Sequence, residues 1–303
     1  MSRAAAALLV LLAALPLVAT TPDAPARAAA PERLVVRIQN TFLHDRTAYT
    51  QGLVLHDGAL FESTGKYGYS TLREVEPATG IVRRSVPLPD EIFAEGLALV
   101  GERLVQLSWR EGRALEWDLA TFQGLGELDY EGEGWGLCYD GSRLIMSDGS
   151  DRLTFRDATT FAPIGSVAVH LDGQPLRNLN ELECVDGAVY ANVWRETDIV
   201  RIDPASGDVT ALIDGSAVDA ALRARYDLPD PYDCLNGIAH IPGTDRFYIT
   251  GKHWPELYEA RFLPVADATA SAVPTATGTA TAVVTSTPEP LPAYLPVGWV
   301  GGR

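Results

Sequence analysis

One short motif occurs five times along the chain, and that repetition limits the possible folds more than any other feature. Each copy opens with a polar or aromatic residue, then usually glycine, then an aliphatic residue. The openings are Gln51-Gly52-Leu53, Glu95-Gly96-Leu97, Trp135-Gly136-Leu137, Asn180-Glu181-Leu182 and Asn236-Gly237-Ile238. The period is roughly 40–45 residues, with a longer last interval. Each opening leads into a turn and a second apolar run, as in His56-Asp57-Gly58 before Ala59-Leu60-Phe61 and Asp186-Gly187 before Ala188-Val189-Tyr190. Turn chemistry between short β-prone runs signals hairpins. A third strand follows in every copy. In the first four copies an acid then opens the next turn (Glu76, Asp118, Asp157 or Asp203), with Thr79, Thr121, Thr160 or Ser206 three residues on. Such side chains bond their own backbone in turns. Four short strands per unit predict an all-β fold, a five-bladed β-propeller. The last copy ends after its third strand, and Arg33-Leu34-Val35-Val36-Arg37-Ile38 stands ahead of the first copy. That N-terminal strand is expected to complete the last blade and leave no exposed inner edge. A β-sandwich would not account for copies in one register.

The two ends read differently. Residues 1–30 carry an early arginine, an apolar run from Ala4 to Leu17 and small residues, the pattern of a secretory signal peptide. The alternative is an uncleaved anchor, but the apolar run is shorter than the ~20 residues that span a bilayer comfortably. Residues 265–303 are an Ala/Thr/Pro-rich stretch that cannot bury enough apolar surface to order itself, and read as a disordered tail. The folded domain is therefore expected at residues 31–264. The protein is expected to be exported: periplasmic, cell-surface or secreted. A formal net charge of −16 argues against nucleic acid as a partner, since phosphate binding needs a basic footprint. The three cysteines, Cys138, Cys184 and Cys234, permit one bridge and leave one thiol over, with the pairing open. No C-x-x-C pair occurs, which argues against a cysteine-rich zinc site.

In a propeller blade the first strand lies innermost and the second runs antiparallel to it. The start of strand one and the end of strand two therefore share one end of the ring. Strand-one starts supply Gln51, Glu95, Trp135, Asn180 and Asn236, and strand-two ends supply Trp109, Trp194 and Lys252 among others. One mouth should then hold a carboxylate, an ammonium, several amides and an aromatic wall, which is the make-up of a ligand pocket. Taken singly, each residue has a plainer explanation. A tryptophan at a blade end commonly packs, an asparagine at a strand start commonly bonds backbone, and a lone lysine is commonly solvated. It is their convergence on one face that points to a site.

At these same residues the sequence resembles the plant-type glutamine cyclotransferase family, which also occurs in bacteria. The matching segments include Tyr49-Thr50-Gln51-Gly52-Leu53, Ala94-Glu95-Gly96-Leu97, Gly134-Trp135-Gly136-Leu137 and Asn178-Leu179-Asn180-Glu181-Leu182-Glu183. Tyr190-Ala191-Asn192-Val193-Trp194, Leu235-Asn236-Gly237-Ile238 and Thr250-Gly251-Lys252-His253-Trp254-Pro255 continue the match, so that it spans every blade. The resemblance implies a five-bladed propeller that converts N-terminal glutamine of peptides or proteins to pyroglutamate and releases ammonia, with no cofactor and no catalytic metal. It implies Glu95 and Lys252 as catalytic residues. The substrate-binding residues would be Gln51, Trp109, Trp135, Asn180 and Trp194, with Asn236 added from the repeat phase. The partner would be a peptide with N-terminal glutamine, and the protein a monomer. Two other readings compete. One is a metal-dependent lactonase-like propeller hydrolase, which a positive charge at Lys252 disfavours. The other is a non-catalytic peptide-binding propeller, since fold alone implies no function.

Overall fold

A computed structural model describes residues 30–268. The proposed signal segment and nearly all of the proposed tail lie outside the described residues. The chain opens with β1 (Glu32–Leu43) and then builds sheets of consecutive antiparallel strands. The first sheet comprises β2 (Thr50–His56), β3 (Ala59–Thr64), β4 (Thr71–Val75) and β5 (Val82–Pro87). The second comprises β6 (Ala94–Val100), β7 (Arg103–Ser108), β8 (Arg113–Asp118) and β9 (Gly124–Asp129). The third comprises β10 (Leu137–Tyr139), β11 (Arg143–Met146), β12 (Arg152–Asp157) and β13 (Pro163–Ala168). A small hairpin, β14 (His170–Leu171) and β15 (Gln174–Pro175), leads to β16 (Leu179–Val185), β17 (Ala188–Val193), β18 (Asp198–Ile202) and β19 (Val209–Asp214). The longer last interval holds helix α1 (Ser216–Arg225), followed by β20 (Leu235–His240), β21 (Arg246–Gly251), β22 (Glu256–Pro264) and the short α2 (Val265–Ala268).

Local chemistry accounts for these elements. Asp57-Gly58 and Asp186-Gly187 both take positive φ, which lets a two-residue turn match the twist of the flanking strands. The acid-and-hydroxyl turns form as the sequence suggests: Thr121 Oγ1 donates to Asp118 at 2.6 Å, Thr160 to Asp157 at 2.9 Å and Ser206 to Asp203 at 2.9 Å.

The expected N-terminal closing strand is present and longer than foreseen. β1 pairs antiparallel with β22 from Leu34↔Pro264 to Leu43↔Glu256. Its first residues also pair parallel with β19, which joins the last two sets of strands into one eight-stranded sheet. The first strands of the sets stand side by side in the order β2, β6, β10, β16 and β20, and β20 returns to β2. The result is an all-β, propeller-like array of small sheets. Its apolar cores lie between neighbouring sheets: Phe61, Leu72, Leu97, Leu104 and Trp117, for example, fill the space between the first two.

The recurring glycine follows from this crowding. A Cβ on Gly96 would stand 2.5 Å from the Leu137 nitrogen, and one on Gly136 only 1.9 Å from the Asn180 carbonyl oxygen. Glu181 takes the glycine's place in the fourth copy. Its carboxylate accepts backbone N–H from Leu53 at 3.3 Å and Ile238 at 2.9 Å, tying β16 to β2 and β20. Cys138 and Cys184, on β10 and β16, form a disulfide with Cα atoms 5.4 Å apart, while Cys234 is free and buried.

Candidate active site

At their entrances four of the five first strands, all but β10, are bulged. The register slips between Thr50 and Gly52, Ala94 and Leu97, Leu179 and Leu182, and Leu235 and Ile238. A bulge re-aims a side chain that would otherwise follow the strict alternation of a strand. Gln51, Glu95 and Asn180 are turned in this way into a cavity of about 300 Å³, the low end of the range for small-ligand sites. Trp109, Trp135, Trp194 and Lys252 also line it, as the repeat phase predicts. Asn236 does not line it. Its amide lies beneath, donating to the Thr50 carbonyl at 2.9 Å and to Gln51 Oε1 at 3.3 Å. These two hydrogen bonds set the residue behind Gln51 rather than beside the others.

The polar floor is a short chain of hydrogen bonds. Asn236 fixes the oxygen end of the Gln51 amide, and Gln51 Nε2 then donates to Glu95 Oε1 at 2.8 Å. Glu95 is 4% exposed and Lys252 2%, so both of these ionisable groups are withdrawn from bulk water. Burial raises the Glu95 carboxyl well above the ordinary glutamate range, the nearby Lys252 ammonium acts against that, and Glu133 and Glu111 add to it. Burial likewise lowers Lys252, opposed by the negative charge of Glu95. Lys252 is held by its own backbone N–H, which donates to the Cys234 carbonyl at 2.9 Å, while the next N–H, of His253, reaches the Ala48 carbonyl at 2.7 Å. Asn180 is buried, and its Oδ1 has no partner among the described residues. A buried acceptor left open in a cavity is suited to an incoming N–H donor.

The walls are aromatic. Trp135 and Trp194 meet edge to face with centroids 5.4 Å apart, and Trp194 stacks on Tyr232 at 5.8 Å. On the other side Phe93 lies 5.4 Å from Trp109 and 6.1 Å from Tyr49. Lys66 Nζ sits 3.8 Å from the centre of the Tyr49 ring. Sequence reasoning missed Tyr49, Lys66, Phe93 and Tyr232 as lining residues. Tyr49 and Phe93 precede the repeat openings by two residues and could have been found as a shared aromatic at that offset. Lys66 and Tyr232 lie in connections outside the repeat and carry no such signal.

A family model described as glutamine cyclotransferase matches residues 9–262. A glutaminyl-peptide cyclotransferase of Arabidopsis thaliana is 36% identical over 228 residues, which cover 75% of this chain and 71% of the plant protein. The crystal structure of Myxococcus xanthus glutaminyl cyclase matches with a TM-score of 0.73 at 44% identity, covering 78% of this chain and 99% of that one. This chain belongs to the glutamine cyclotransferase family.

Proposed function

We propose that this protein is a glutaminyl-peptide cyclotransferase acting on peptides or proteins with N-terminal glutamine. The observation that carries the reading is a buried carboxylate, Glu95, oriented by Gln51 and coupled to Lys252 in a tryptophan-walled cavity open at one side. The chemistry is an intramolecular aminolysis. The substrate's α-nitrogen attacks its own side-chain carboxamide carbon, a lactam C–N bond forms, and the original C–N bond breaks to release ammonia.

Each residue has a task in that sequence. The free α-amine has a pKa of about 7.7–8.0, so near neutrality it must first lose a proton. As the new C–N bond forms the attacking nitrogen must shed a further proton. Glu95 takes it and delivers it to the leaving nitrogen, so that a neutral lactam and ammonia result. The raised proton affinity of Glu95 suits it to both steps near neutral pH. Lys252 stabilises the negative charge that develops on the tetrahedral oxygen. Asn180 Oδ1 accepts an N–H of the glutamine head, which supplies the partner it lacks. Gln51, with both ends of its amide engaged by Asn236 and Glu95, serves to aim the carboxylate rather than to bind charge directly. Trp109, Trp135 and Trp194 clamp the aliphatic stem. They hold the near-attack conformer and keep out water, which would otherwise hydrolyse the amide to glutamate.

The fold reading that accompanies this is a five-bladed propeller. The eight-stranded sheet counts as two blades fused through β1, and the antiparallel pairing of β1 with β22 supports it as the last blade's outer strand. Export, with a signal at 1–30 and a tail at 265–303, is part of the same proposal, as is action by a monomer with no nucleic-acid partner. The Cys138–Cys184 bridge supports export, since disulfides persist in oxidising compartments. Mass spectrometry of a Gln-initiated peptide after incubation tests the activity. A product lighter by one ammonia is expected, whereas a glutamate product or unchanged peptide would refute it.

A further inference from the structure

We propose that Glu133 is a positioning residue of this reaction, one carboxylate that fixes two of the tryptophan walls and sets the charge facing the catalytic glutamate. The proposal rests on the cyclotransferase reading above. Glu133 lies in the connection between β9 and β10, outside the repeated motif and outside the cavity lining. Its Oε2 accepts the indole N–H of Trp109 at 2.9 Å and that of Trp135 at 3.1 Å. Its Oε1 accepts Arg110 Nε at 2.9 Å, and the Arg110 guanidinium in turn lies 3.7 Å over the Trp109 ring.

The two indoles come from different sheets, Trp109 just after β7 and Trp135 just before β10. A single oxygen shared by both N–H groups therefore fixes the rotation of each ring and the width between them. The loop bearing this oxygen is itself anchored. Tyr130 N–H donates to the Gly112 carbonyl at 2.8 Å, and Gly134 N–H to the Trp109 carbonyl at 2.8 Å. Gly134 allows the close turn, because a Cβ there would meet the Tyr130 hydroxyl at 2.3 Å. Partial burial works against the Glu133 charge, but hydrogen bonds from Trp135, Trp109 and Arg110 prevail and hold its carboxyl below the ordinary range. It is thus an anion throughout the neutral range.

That anion has a second effect. The charged groups facing Glu95 are Lys252, which favours its ionised form, and Glu133 and Glu111, which disfavour it. Tyr49, Tyr67 and Tyr130 also face it, and Glu95 in turn disfavours their ionisation. Glu111 is tied to the Tyr67 hydroxyl at 2.8 Å. Glu133 therefore works against Lys252, helping to keep the shuttle carboxyl protonated to higher pH than it would be without that charge.

Two substitutions separate the roles. Glu133→Gln keeps a carbonyl acceptor for the indoles and loses the charge; Glu133→Ala loses both. Kinetics across pH on a short Gln-initiated peptide are the readout, with wild-type turnover reporting on the enzymatic reading by itself. Glu133→Gln is expected to move the acidic limb of kcat/KM to lower pH, with KM little changed. Glu133→Ala should move the limb likewise and also raise KM about tenfold, the effect of ~1.4 kcal/mol of lost binding. The near-ultraviolet circular dichroism of tryptophan needs no turnover; it should be retained in Glu133→Gln and altered in Glu133→Ala. Wild-type KM together with an unmoved acidic limb in both variants would overturn the proposal, as would an unaltered tryptophan spectrum in Glu133→Ala.

Discussion

Glu95 and Lys252 are each buried at a cost that the other partly offsets, and this mutual dependence shapes the pH behaviour of the site. The ammonium of Lys252 favours the carboxylate form of Glu95, so removing it must raise the proton affinity of Glu95 further. Lys252→Met is therefore expected to shift the acidic limb of the pH–rate profile upward, opposite in direction to Glu133→Gln. It should also lower kcat about 10²–10³-fold through loss of oxyanion stabilisation. A downward or absent shift in a kcat/KM profile would separate Lys252 from Glu95. At this scale the sequence was informative wherever a residue sat at a repeat opening or a strand-two end. Gln51, Glu95, Asn180, Trp109, Trp135, Trp194 and Lys252 do meet in one cavity. Glu133 was not legible because its importance lies in two hydrogen bonds to residues from different sheets, which no spacing encodes.

The repeated element is an inner strand whose usual glycine, as at Gly96 and Gly136, permits close approach to the next one. Gly136→Ala would place a Cβ 1.9 Å from the Asn180 carbonyl oxygen, between two residues that line the cavity. The strand must shift, so a stability loss of about 1–3 kcal/mol is expected from overpacking. A larger proportional fall in kcat/KM should accompany it, because Trp135 and Asn180 move with their backbone. Denaturant unfolding alongside steady-state kinetics checks both; full activity with unchanged stability would contradict the packing argument. The strands and hairpins themselves were legible because Asp-Gly turns and acid-hydroxyl turns are local chemistry. The bulges were not, and neither were the hydrogen bonds to Thr50 and Gln51 that hold Asn236 beneath Gln51 when it was expected at the mouth. Helix α1 and the parallel pairing of β1 with β19 likewise lie outside any repeat signal.

For the whole molecule, closure of the sheet array joins the first-built strand to the last, and a buried ion pair sits at that join. His44, just after β1, contacts Glu62 of β3 at 3.0 Å, and Thr50 of β2 donates to the same carboxylate at 2.7 Å. Burial alone would lower the His44 pKa, but Glu62 and the Trp254 carbonyl raise it on balance; burial would raise Glu62, but His44 first of all draws it down. The pair's contribution is therefore complete between the ordinary values of 4.5 for glutamate and 6.5 for histidine. It fades as pH rises through the raised value of His44 or falls through the depressed value of Glu62. His44→Gln should cost about 3–5 kcal/mol inside that window, and less above it, in chemical denaturation across pH. A pH-independent difference would contradict the assignment. The closed array is what brings Glu95, Lys252 and the tryptophan walls to one mouth, so the central claim is tested where they act. The measurement is ammonia release from a Gln-initiated peptide by wild type and by Glu95→Gln from matched preparations. The expected result is sustained release by wild type and a fall of about 10²–10⁴-fold or more in the variant. Release by the variant at the wild-type rate would contradict Glu95 as the proton shuttle, and no release by wild type would contradict the cyclotransferase itself.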